Sequence, residues 1–197
     1  MPRFFLLFIY TIMAVIAAAS ADVIRVVGRV GSHECTLTFG GTEFKCALGK
    51  NGVSNTKVEG DGTTPAGSFP LRRILYREDR VMRPAPSADI SVMPTLPSYG
   101  WCDDTTPASE HYYNTFIEHA DDFPFSHEKL WRDDALYDTL AVIGYNDSPA
   151  MPGKGSAIFF HVTESYGATA GCVALALKDL QLVLAGIDSQ TIMEITI

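Results

Sequence analysis

Several features that mark other protein classes are missing from this chain. It has no run of lysine and arginine, and its 23 acidic residues outnumber its 15 basic ones, giving a formal net charge of −8. This balance argues against nucleic acid or an anionic membrane surface as a partner. Neither GxxxxGK(S/T) nor a GxGxxG that opens a helix is present, so the glycine-rich residues 49–62 are interpreted as turns and not as a phosphate site.

Apolar runs long enough to span a membrane are missing after the first twenty residues. Met1–Arg3 is a short basic segment, Phe4–Ala18 is apolar, and Ala19–Ala21 has the A-x-A pattern of a cleavage site. The pattern predicts a secretory signal peptide cleaved after Ala21, with an uncleaved membrane anchor as the alternative. Cleavage would leave 176 residues with a net charge of −9, which we expect to form a single exported domain over residues 22–197 without stable membrane insertion.

Cysteine is scarce, with four residues in a chain expected to meet an oxidising compartment. Cys35 and Cys46 flank a predicted hairpin over residues 33–48, whose Gly40-Gly41 turn would place the two cysteines opposite each other. A disulfide and two buried free thiols both fit this register. Cys102 and Cys172 are then left over, and an unpaired thiol in an exported protein needs a reason.

The hydrophobic patterning predicts a mainly β domain with one or two short helices. A helix is expected over Asp179–Ala185, and strands over Asp22–Val30, Phe69–Tyr76, Leu140–Tyr145, Ala157–Val162, Cys172–Leu177 and Thr191–Ile197.

Between the two strand-rich parts lies a long segment, residues 77–135, that is rich in proline and aromatic residues. Prolines break long helices, while aromatic density argues against disorder. We predict an ordered insertion that covers one side of the domain and lines a cleft, with a short helix around Ser126–Leu136.

His161 and Cys172 form a candidate base and nucleophile. His161 ends one apolar run, and Cys172 opens the next, eleven positions later. A catalytic cysteine needs a base to form its thiolate, and backbone N–H groups around Gly171 would suit a developing oxyanion. Taken alone, the spacing favours a buried structural cysteine beside a core histidine.

Residues 153–177, with His161 and the sequence Thr169-Ala170-Gly171-Cys172, resemble the catalytic core of the L,D-transpeptidases of the YkuD type. That family has a histidine at the end of one strand and an S/T-x-G-C element at the start of the next. Gly49-Lys50 followed by T-P-A-G-S-F at residues 64–69 also resembles the family's GK…TPxGxF segment. The resemblance implies a β-sandwich-like catalytic domain, with Cys172 as nucleophile, His161 as base and the backbone of Val162 orienting the His161 ring.

The same resemblance implies an activity on peptidoglycan stem peptides in the periplasm, without a metal or organic cofactor. Cys172 would form a thioester with a donor stem and pass it to the side-chain amine of a second stem, giving a 3,3- or a 1,3-type cross-link. The TAGC motif is similar to a divergent proteobacterial branch of the family. An L,D-carboxypeptidase or endopeptidase with the same site, and an inactive peptidoglycan-binding module, remain alternatives. Nothing in the sequence indicates an oligomeric state.

The chain departs from the family pattern at Ala170 and Ala174, where the family commonly has histidine and arginine. We expect replacements from the insertion, among Trp101, Asp103, Asp104, Tyr113, Asn114, Ser126, His127, Glu128 and Arg132. His127 and Arg132 match the missing groups best by chemical type. Tyr145, Asn146 and Lys154 flank the strands of the candidate pair and are further candidates for substrate binding. Each of these residues also fits a purely structural or solvent-exposed role.

Cys102 lies beside Trp101 in the expected cleft lining. A disulfide between Cys102 and Cys172 that silences the enzyme under oxidation is therefore a further hypothesis, with a buried lone thiol as its alternative.

Overall fold

The computed structural model describes residues 23–197, so the predicted signal peptide, Met1–Ala21, lies outside the described residues. The described chain is mostly β, as predicted. Its strands are β1 (Val23–Arg29), β2 (Ser32–Phe39), β3 (Thr42–Ala47), β4 (Val53–Ser54), β5 (Thr64–Pro65), β6 (Gly67–Tyr76), β7 (Ser91–Pro94), β8 (Gly100–Cys102), β9 (Phe116–Ile117), β10 (His127–Lys129), β11 (Thr139–Ile143), β12 (Phe159–Val162), β13 (Val173–Leu175) and β14 (Ile192–Thr196).

One α-helix, α1 (Leu177–Gly186), lies between the last two strands, and two single 3₁₀ turns cover Pro107–Ser109 and Ala120–Asp122. Helix α1 buries Leu180, Val183 and Leu184, the spacing of three and four residues that predicted it. No helix within residues 23–197 has both the length and the apolar content needed to cross a membrane.

The main sheet closes on itself. Its strand order is β11-β12-β13-β3-β2-β1-β14-β6-β7, and β6 also pairs with β11. The first residues of β6 pair with β14, and its later residues pair with β11 along one edge and with β7 along the other. Closure leaves few unpaired strand edges and holds β12 and β13 between neighbours on both sides.

The predicted hairpin forms in the predicted register. Phe39 pairs with Thr42, Leu37 with Phe44, and Cys35 with Cys46. Gly40 and Gly41 have φ angles of +55° and +77°, the conformation of a two-residue turn that glycine adopts without strain. Cys35 and Cys46 form a disulfide across a Cα–Cα distance of 4.9 Å, which decides between the two alternatives that the sequence left open.

The two faces of the sheet have different neighbours. Phe160 and Val162 of β12 point into one core cluster, which also holds the buried face of α1. Phe159, which precedes Phe160 and points to the opposite face, lies in a second cluster with Trp101 and Leu130 of the insertion. The insertion therefore packs on the outer face of β6, β11 and β12, where it covers one side of the domain as predicted.

The insertion is ordered but contains no α-helix. The helix predicted over Ser126–Leu136 is wrong: His127–Lys129 is strand β10, which pairs with β8, and residues 130–136 are turns. The helix was predicted from Ser126 as an N-cap, and the pairing of β10 with β8, in which Glu128 lies opposite Trp101, outweighs that local signal. Tertiary pairing commonly overrides a short local propensity of this kind.

Candidate active site

Strands β12 and β13 bring His161 and Cys172 onto one face of the sheet. They run parallel, with Phe160 paired to Val173 and His161 to Ala174. Cys172 precedes β13 and lies two residues from Ala174, roughly 6.6 Å along the strand direction. Side chains two residues apart share a face, so Cys172 and His161 point to the same side. Both are almost fully buried, with 6% and 5% of their surface exposed.

The turn before Cys172 is fixed by Thr169. Its hydroxyl donates to the carbonyl oxygen of Cys172 at 2.8 Å and accepts from the N–H of Gly171 at 3.1 Å. A Cβ on Gly171 would lie 2.9 Å from the carbonyl oxygen of Thr63, closer than side chains tolerate. Glycine is therefore required there by the neighbouring backbone. The N–H of Gly171, expected to face a substrate oxyanion, is engaged by Thr169 in this state.

The two motif segments that lie about a hundred residues apart in sequence are in direct contact. Gly49 and Thr169 form a parallel bridge, in which the N–H of Lys50 donates to the Thr169 carbonyl and the N–H of Thr169 donates to the Leu48 carbonyl. The N–H of Gly49 also donates to the buried Thr64 hydroxyl at 2.9 Å. The GK and TPAGSF segments thus support the turn that carries Cys172.

Burial keeps both candidate catalytic groups neutral. It raises the pKa of the Cys172 thiol to about 12 and lowers the pKa of His161 to about 4, because the charged forms lose their hydration. The Cys172 Sγ donates to the Ala157 carbonyl and accepts from the Phe159 N–H, each at 3.3 Å. The sulfur therefore bonds to backbone and not to the imidazole in this state.

The His161 ring is oriented by the backbone of the next residue. Its Nδ1 lies 2.8 Å from the Val162 carbonyl oxygen. Because a carbonyl oxygen can only accept, Nδ1 carries the proton, and in the neutral ring Nε2 is then the acceptor. Tyr137 packs edge-on against the imidazole, with 5.1 Å between ring centroids.

A cavity of about 740 Å³ opens over the pair. Cys172 and His161 line it together with the turn 167–171 and parts of the glycine-rich segment and the insertion. Its charged lining includes Lys50, Lys57, Arg132, Glu59, Asp103 and Glu128. A mixed set of charges of this kind suits a peptide that carries both carboxylate and amine groups. Within residues 23–197, no group of three or more histidine, cysteine or acidic side chains is arranged to hold a metal ion.

Comparison with known proteins identifies the family of this chain. A model of the YkuD family, the L,D-transpeptidase catalytic domain, matches residues 35–195. The chain belongs to the L,D-transpeptidase family. No curated protein matches it. Among solved structures, L,D-transpeptidase 1 of Mycobacterium tuberculosis matches with 13% sequence identity and a TM-score of 0.35, over 88% of this chain. The chain spans 62% of the length of that structure.

In this L,D-transpeptidase domain, only some of the predicted substrate-binding residues line the cavity. Gly171, Asp103, Glu128 and Arg132 do so. Arg132, one of the two candidates for the missing arginine and histidine, is held by Asp134 at 2.6 Å and stacks over the Tyr137 ring at 5.0 Å. His127 does not line the cavity: its ring packs against Phe123.

Trp101 and Asn114 lie behind the cavity wall and support it. The Trp101 indole N–H donates to Asn114 Oδ1 at 2.8 Å, and the same oxygen accepts from the Ala157 N–H at 3.1 Å. Ala157 in turn accepts a hydrogen bond from Cys172. These two residues of the insertion therefore fix the backbone to which the thiol is bonded.

Tyr145, Asn146 and Lys154 shape the connection between β11 and β12. The Tyr145 hydroxyl donates to the Lys154 carbonyl at 2.6 Å, and the Asn146 amide donates to Met151 and Gly155 carbonyls. The side chain of Lys154 is exposed outside the cavity. All three residues act here on the loop conformation and not on the cavity surface.

Lys57 and Tyr137 are among the cavity residues that the sequence reasoning missed. Lys57 is 7% exposed, pairs with Asp61 at 2.9 Å, and its Nζ lies 3.4 Å from the position of a Cβ on Gly171. Its place between the GK and TPAGSF segments was the available signal. Tyr137 gave no signal, because an aromatic residue just before a buried strand is ordinary core sequence.

Cys102 and Cys172 are both free and buried. Trp101 points into the cluster that contains Cys172, and Cys102 follows it on the same strand, so the Cys102 side chain faces the other way. This arrangement does not favour the redox disulfide between Cys102 and Cys172.

Proposed function

We propose that this protein is a peptidoglycan L,D-transpeptidase that works through a Cys172 thioester. One observation carries the proposal: Cys172 and His161 share one face of two adjacent parallel strands, beneath a cavity of about 740 Å³. Membership of the L,D-transpeptidase catalytic-domain family supports it. The predicted signal peptide supports a site of action in the periplasm.

In the acylation step, His161 Nε2 takes the Cys172 thiol proton as the sulfur attacks the carbonyl carbon of the donor peptide bond. The carbon–sulfur bond forms, the carbon–nitrogen bond breaks, and the His161 proton passes to the leaving amine. Because burial favours the neutral thiol and the neutral imidazole, proton transfer is expected to accompany substrate binding and attack. A thiolate waiting in the free protein is not required.

In the transfer step, the side-chain amine of a second stem attacks the thioester carbon. The carbon–sulfur bond breaks, an amide forms, and the thiol regains a proton. Lys57 and Arg132, each already paired with an aspartate, bring positive charge to the cavity, which favours binding of the carboxylates of the stem peptides. Holding the thioester and the amine together is chiefly a matter of positioning, which a deep cavity serves well.

Purified sacculi or disaccharide-tetrapeptides test the proposal when incubated with the exported chain and analysed by mass spectrometry. We expect cross-linked dimers and a covalent acyl-enzyme on Cys172. Release of D-Ala identifies a 3,3-type cross-link, and loss of the larger C-terminal peptide identifies a 1,3-type cross-link. Tripeptide without dimers would replace the proposal with a carboxypeptidase.

Cys172→Ala and Cys102→Ala form a matched pair of controls, because both remove a buried free thiol. We expect Cys172→Ala to abolish dimers and Cys102→Ala to retain them. If the wild-type protein leaves the substrate unchanged and carries no adduct, the protein is a binding module and the proposal is wrong.

A further inference from the structure

Glu128 has an unusual place beside the candidate nucleophile. It lies on β10 of the insertion and lines the same cavity as Cys172. Its negative charge is one of the causes, after burial, that raise the pKa of the Cys172 thiol. A carboxylate near a nucleophilic sulfur hinders thiolate formation and is unfavourable for acylation. The acylation chemistry therefore gives no reason for its presence.

One oxygen of Glu128 is held firmly by the protein. The Tyr137 hydroxyl donates to Oε1 at 2.5 Å, and an Arg132 guanidinium nitrogen lies 3.9 Å from the same oxygen. Tyr137 is itself fixed, because it is buried, and its ring packs against His161 and Phe159. The carboxylate is thus oriented through the same tyrosine that contacts the catalytic imidazole.

The other oxygen of Glu128 has no protein partner. Within residues 23–197, both the hydrogen bond and the ion pair of this side chain go to Oε1, and the side chain keeps 29% of its surface exposed. Glu128 lines the same cavity as Cys172, so the side chain is accessible to a molecule bound there. An accessible acceptor in a fixed orientation is a binding group for a hydrogen-bond donor.

The charge around Glu128 selects for a cation. Asp103 and Glu59 also line the cavity, and their charges act on Glu128 in the same direction as burial, which raises the pKa of its carboxyl. Asp103 Oδ1 is itself buried without a hydrogen-bond partner. Arg132 is the opposing charge, and it is engaged mainly by Asp134. A bound ammonium would relieve the repulsion among these carboxylates.

We infer that Glu128 is the residue that binds and deprotonates the acceptor amine. This inference rests on the proposed transpeptidase function and adds to it a residue that distinguishes transfer from hydrolysis. The donor stem reacts through a carbonyl group, but the acceptor arrives as an ammonium, which must lose a proton before it can attack. Cys172 then carries the acyl group, His161 transfers protons to and from the sulfur, and Glu128 takes the first proton from the acceptor nitrogen.

The proton balance of the transfer step is as follows. Glu128 Oε2 accepts a hydrogen bond from the acceptor ammonium and takes one proton from it. The freed nitrogen lone pair attacks the thioester carbon, and a second nitrogen proton passes through His161 Nε2 to the departing Cys172 sulfur as the carbon–sulfur bond breaks. The products are an amide, a neutral thiol and protonated Glu128, which returns its proton to solvent.

The assignment is tested by how the acyl-enzyme divides between transfer to an acceptor amine, which gives dimer, and hydrolysis by water. We expect Glu128→Gln to form the Cys172 acyl-enzyme from disaccharide-tetrapeptide about as fast as the wild type, or faster, as followed by intact-protein mass spectrometry. We expect its ratio of dimer to hydrolysed product to fall on the order of 100-fold, the size of a general-base contribution. Tyr137→Phe, which frees Oε1 but keeps the ring, should lower the ratio less.

A nucleophile that is uncharged at pH 8 provides the decisive control. Hydroxylamine needs no deprotonation, so the Glu128→Gln and wild-type acyl-enzymes should react with it at similar rates. Glu164→Gln removes another carboxylate at the exposed side of the cavity and should leave the partition unchanged.

Two results would overturn the inference while leaving the proposed function intact. One is an unchanged ratio of dimer to hydrolysed product in Glu128→Gln. The other is an equal loss of acylation, transfer and hydroxylamine reaction, which would mean that Glu128 only maintains the structure. A wild-type protein without any acyl-enzyme would instead overturn the proposed function, and this inference with it.

Discussion

At the scale of single residues, burial is the dominant influence on the candidate pair. It is the largest cause of both the raised pKa of Cys172 and the lowered pKa of His161, and the hydrogen bonds of His161 with the backbone only partly oppose it. Lys57 acts on the thiol in the opposite direction to Glu128, but as the weaker influence. The site is thus poised as a neutral pair and is protected from unproductive reactions of a free thiolate.

The buried His161 predicts how stability depends on pH. Its pKa falls from 6.5 in the unfolded chain to about 4 in the folded protein, so the unfolded chain binds the proton more tightly. Its contribution to stability is therefore complete above pH 6.5 and is lost as the pH falls towards 4. We expect a loss of about 3 kcal/mol in the free energy of unfolding across this window.

Urea unfolding at a series of pH values measures this effect in the wild type and in His161→Gln. The wild type should lose about 3 kcal/mol more than the variant between pH 7 and pH 4. Glu128, whose pKa is raised, has the opposite sign but is present in both proteins, so the comparison isolates the imidazole. Parallel stability profiles for the two proteins would contradict the prediction.

At the scale of elements, the turn that carries Cys172 depends on backbone contact between segments distant in sequence. The carbonyl of Thr63, next to the TPAGSF segment, occupies the space that a Cβ on Gly171 would need. The turn cannot move away freely, because Thr169 is bridged to Gly49 on one side and bonded to the Cys172 carbonyl on the other. A side chain at position 171 would therefore shift the nucleophile.

We expect Gly171→Ala to lower the rate of acyl-enzyme formation on the order of 100-fold, as a displacement of about 1 Å at a reacting atom does. The physical cause is the 2.9 Å contact with the Thr63 carbonyl oxygen. Gly167→Ala is the matched control, since a Cβ at this exposed position meets its nearest atom at 3.7 Å. Acylation as fast as the wild type in Gly171→Ala, measured by intact-protein mass spectrometry, would show that the turn adapts.

At the scale of the whole molecule, the closed sheet and the insertion that covers it make different contributions to the site. The closed sheet fixes β12 and β13 relative to each other, and the insertion supplies Asp103, Glu128 and Arg132 from outside. The Cys35–Cys46 disulfide covalently links β2 to β3, and β3 pairs with β13 in the sheet. Cys35 and Cys46 therefore stabilise the sheet, whereas the proposed reactivity belongs to Cys172.

Removing the Cys35–Cys46 disulfide should lower the stability of the protein without preventing acyl-enzyme formation. The disulfide joins residues that are 11 positions apart, and in the chain-entropy description this closure contributes about 3 kcal/mol to the free energy of unfolding. We expect the Cys35→Ala/Cys46→Ala double variant to lose about 2–3 kcal/mol in urea unfolding while still forming the Cys172 acyl-enzyme.

Thiol counting provides the control for this prediction. The denatured, unreduced wild type should label at Cys102 and Cys172 only, and all four cysteines should label after reduction. The reductant should destabilise the wild type and leave the double variant unaffected. Four labelled cysteines without reduction would contradict the disulfide.

Much of the fold could be predicted from the sequence, because local rules govern it. The Gly40-Gly41 turn set the register of β2 and β3, and apolar alternation marked β1 and β14. The prediction failed at Ser126–Leu136, where pairing of β10 with β8 outweighed the N-cap signal of Ser126. A short segment inside an insertion has too few local contacts to decide its own conformation.

The sequence alone determined that Cys172 and His161 are a candidate pair. Its resemblance to the L,D-transpeptidase family then implied that residues 49–50 and 64–69 belong with them. Only the tertiary structure decided which charged groups surround the pair, because cavity neighbours come from segments separated by dozens of residues. Glu128 reaches the cavity and His127 does not, since adjacent residues of a strand point to opposite faces. Burial of the pair, and with it the neutral thiol and imidazole, likewise exists only once the insertion packs over the sheet.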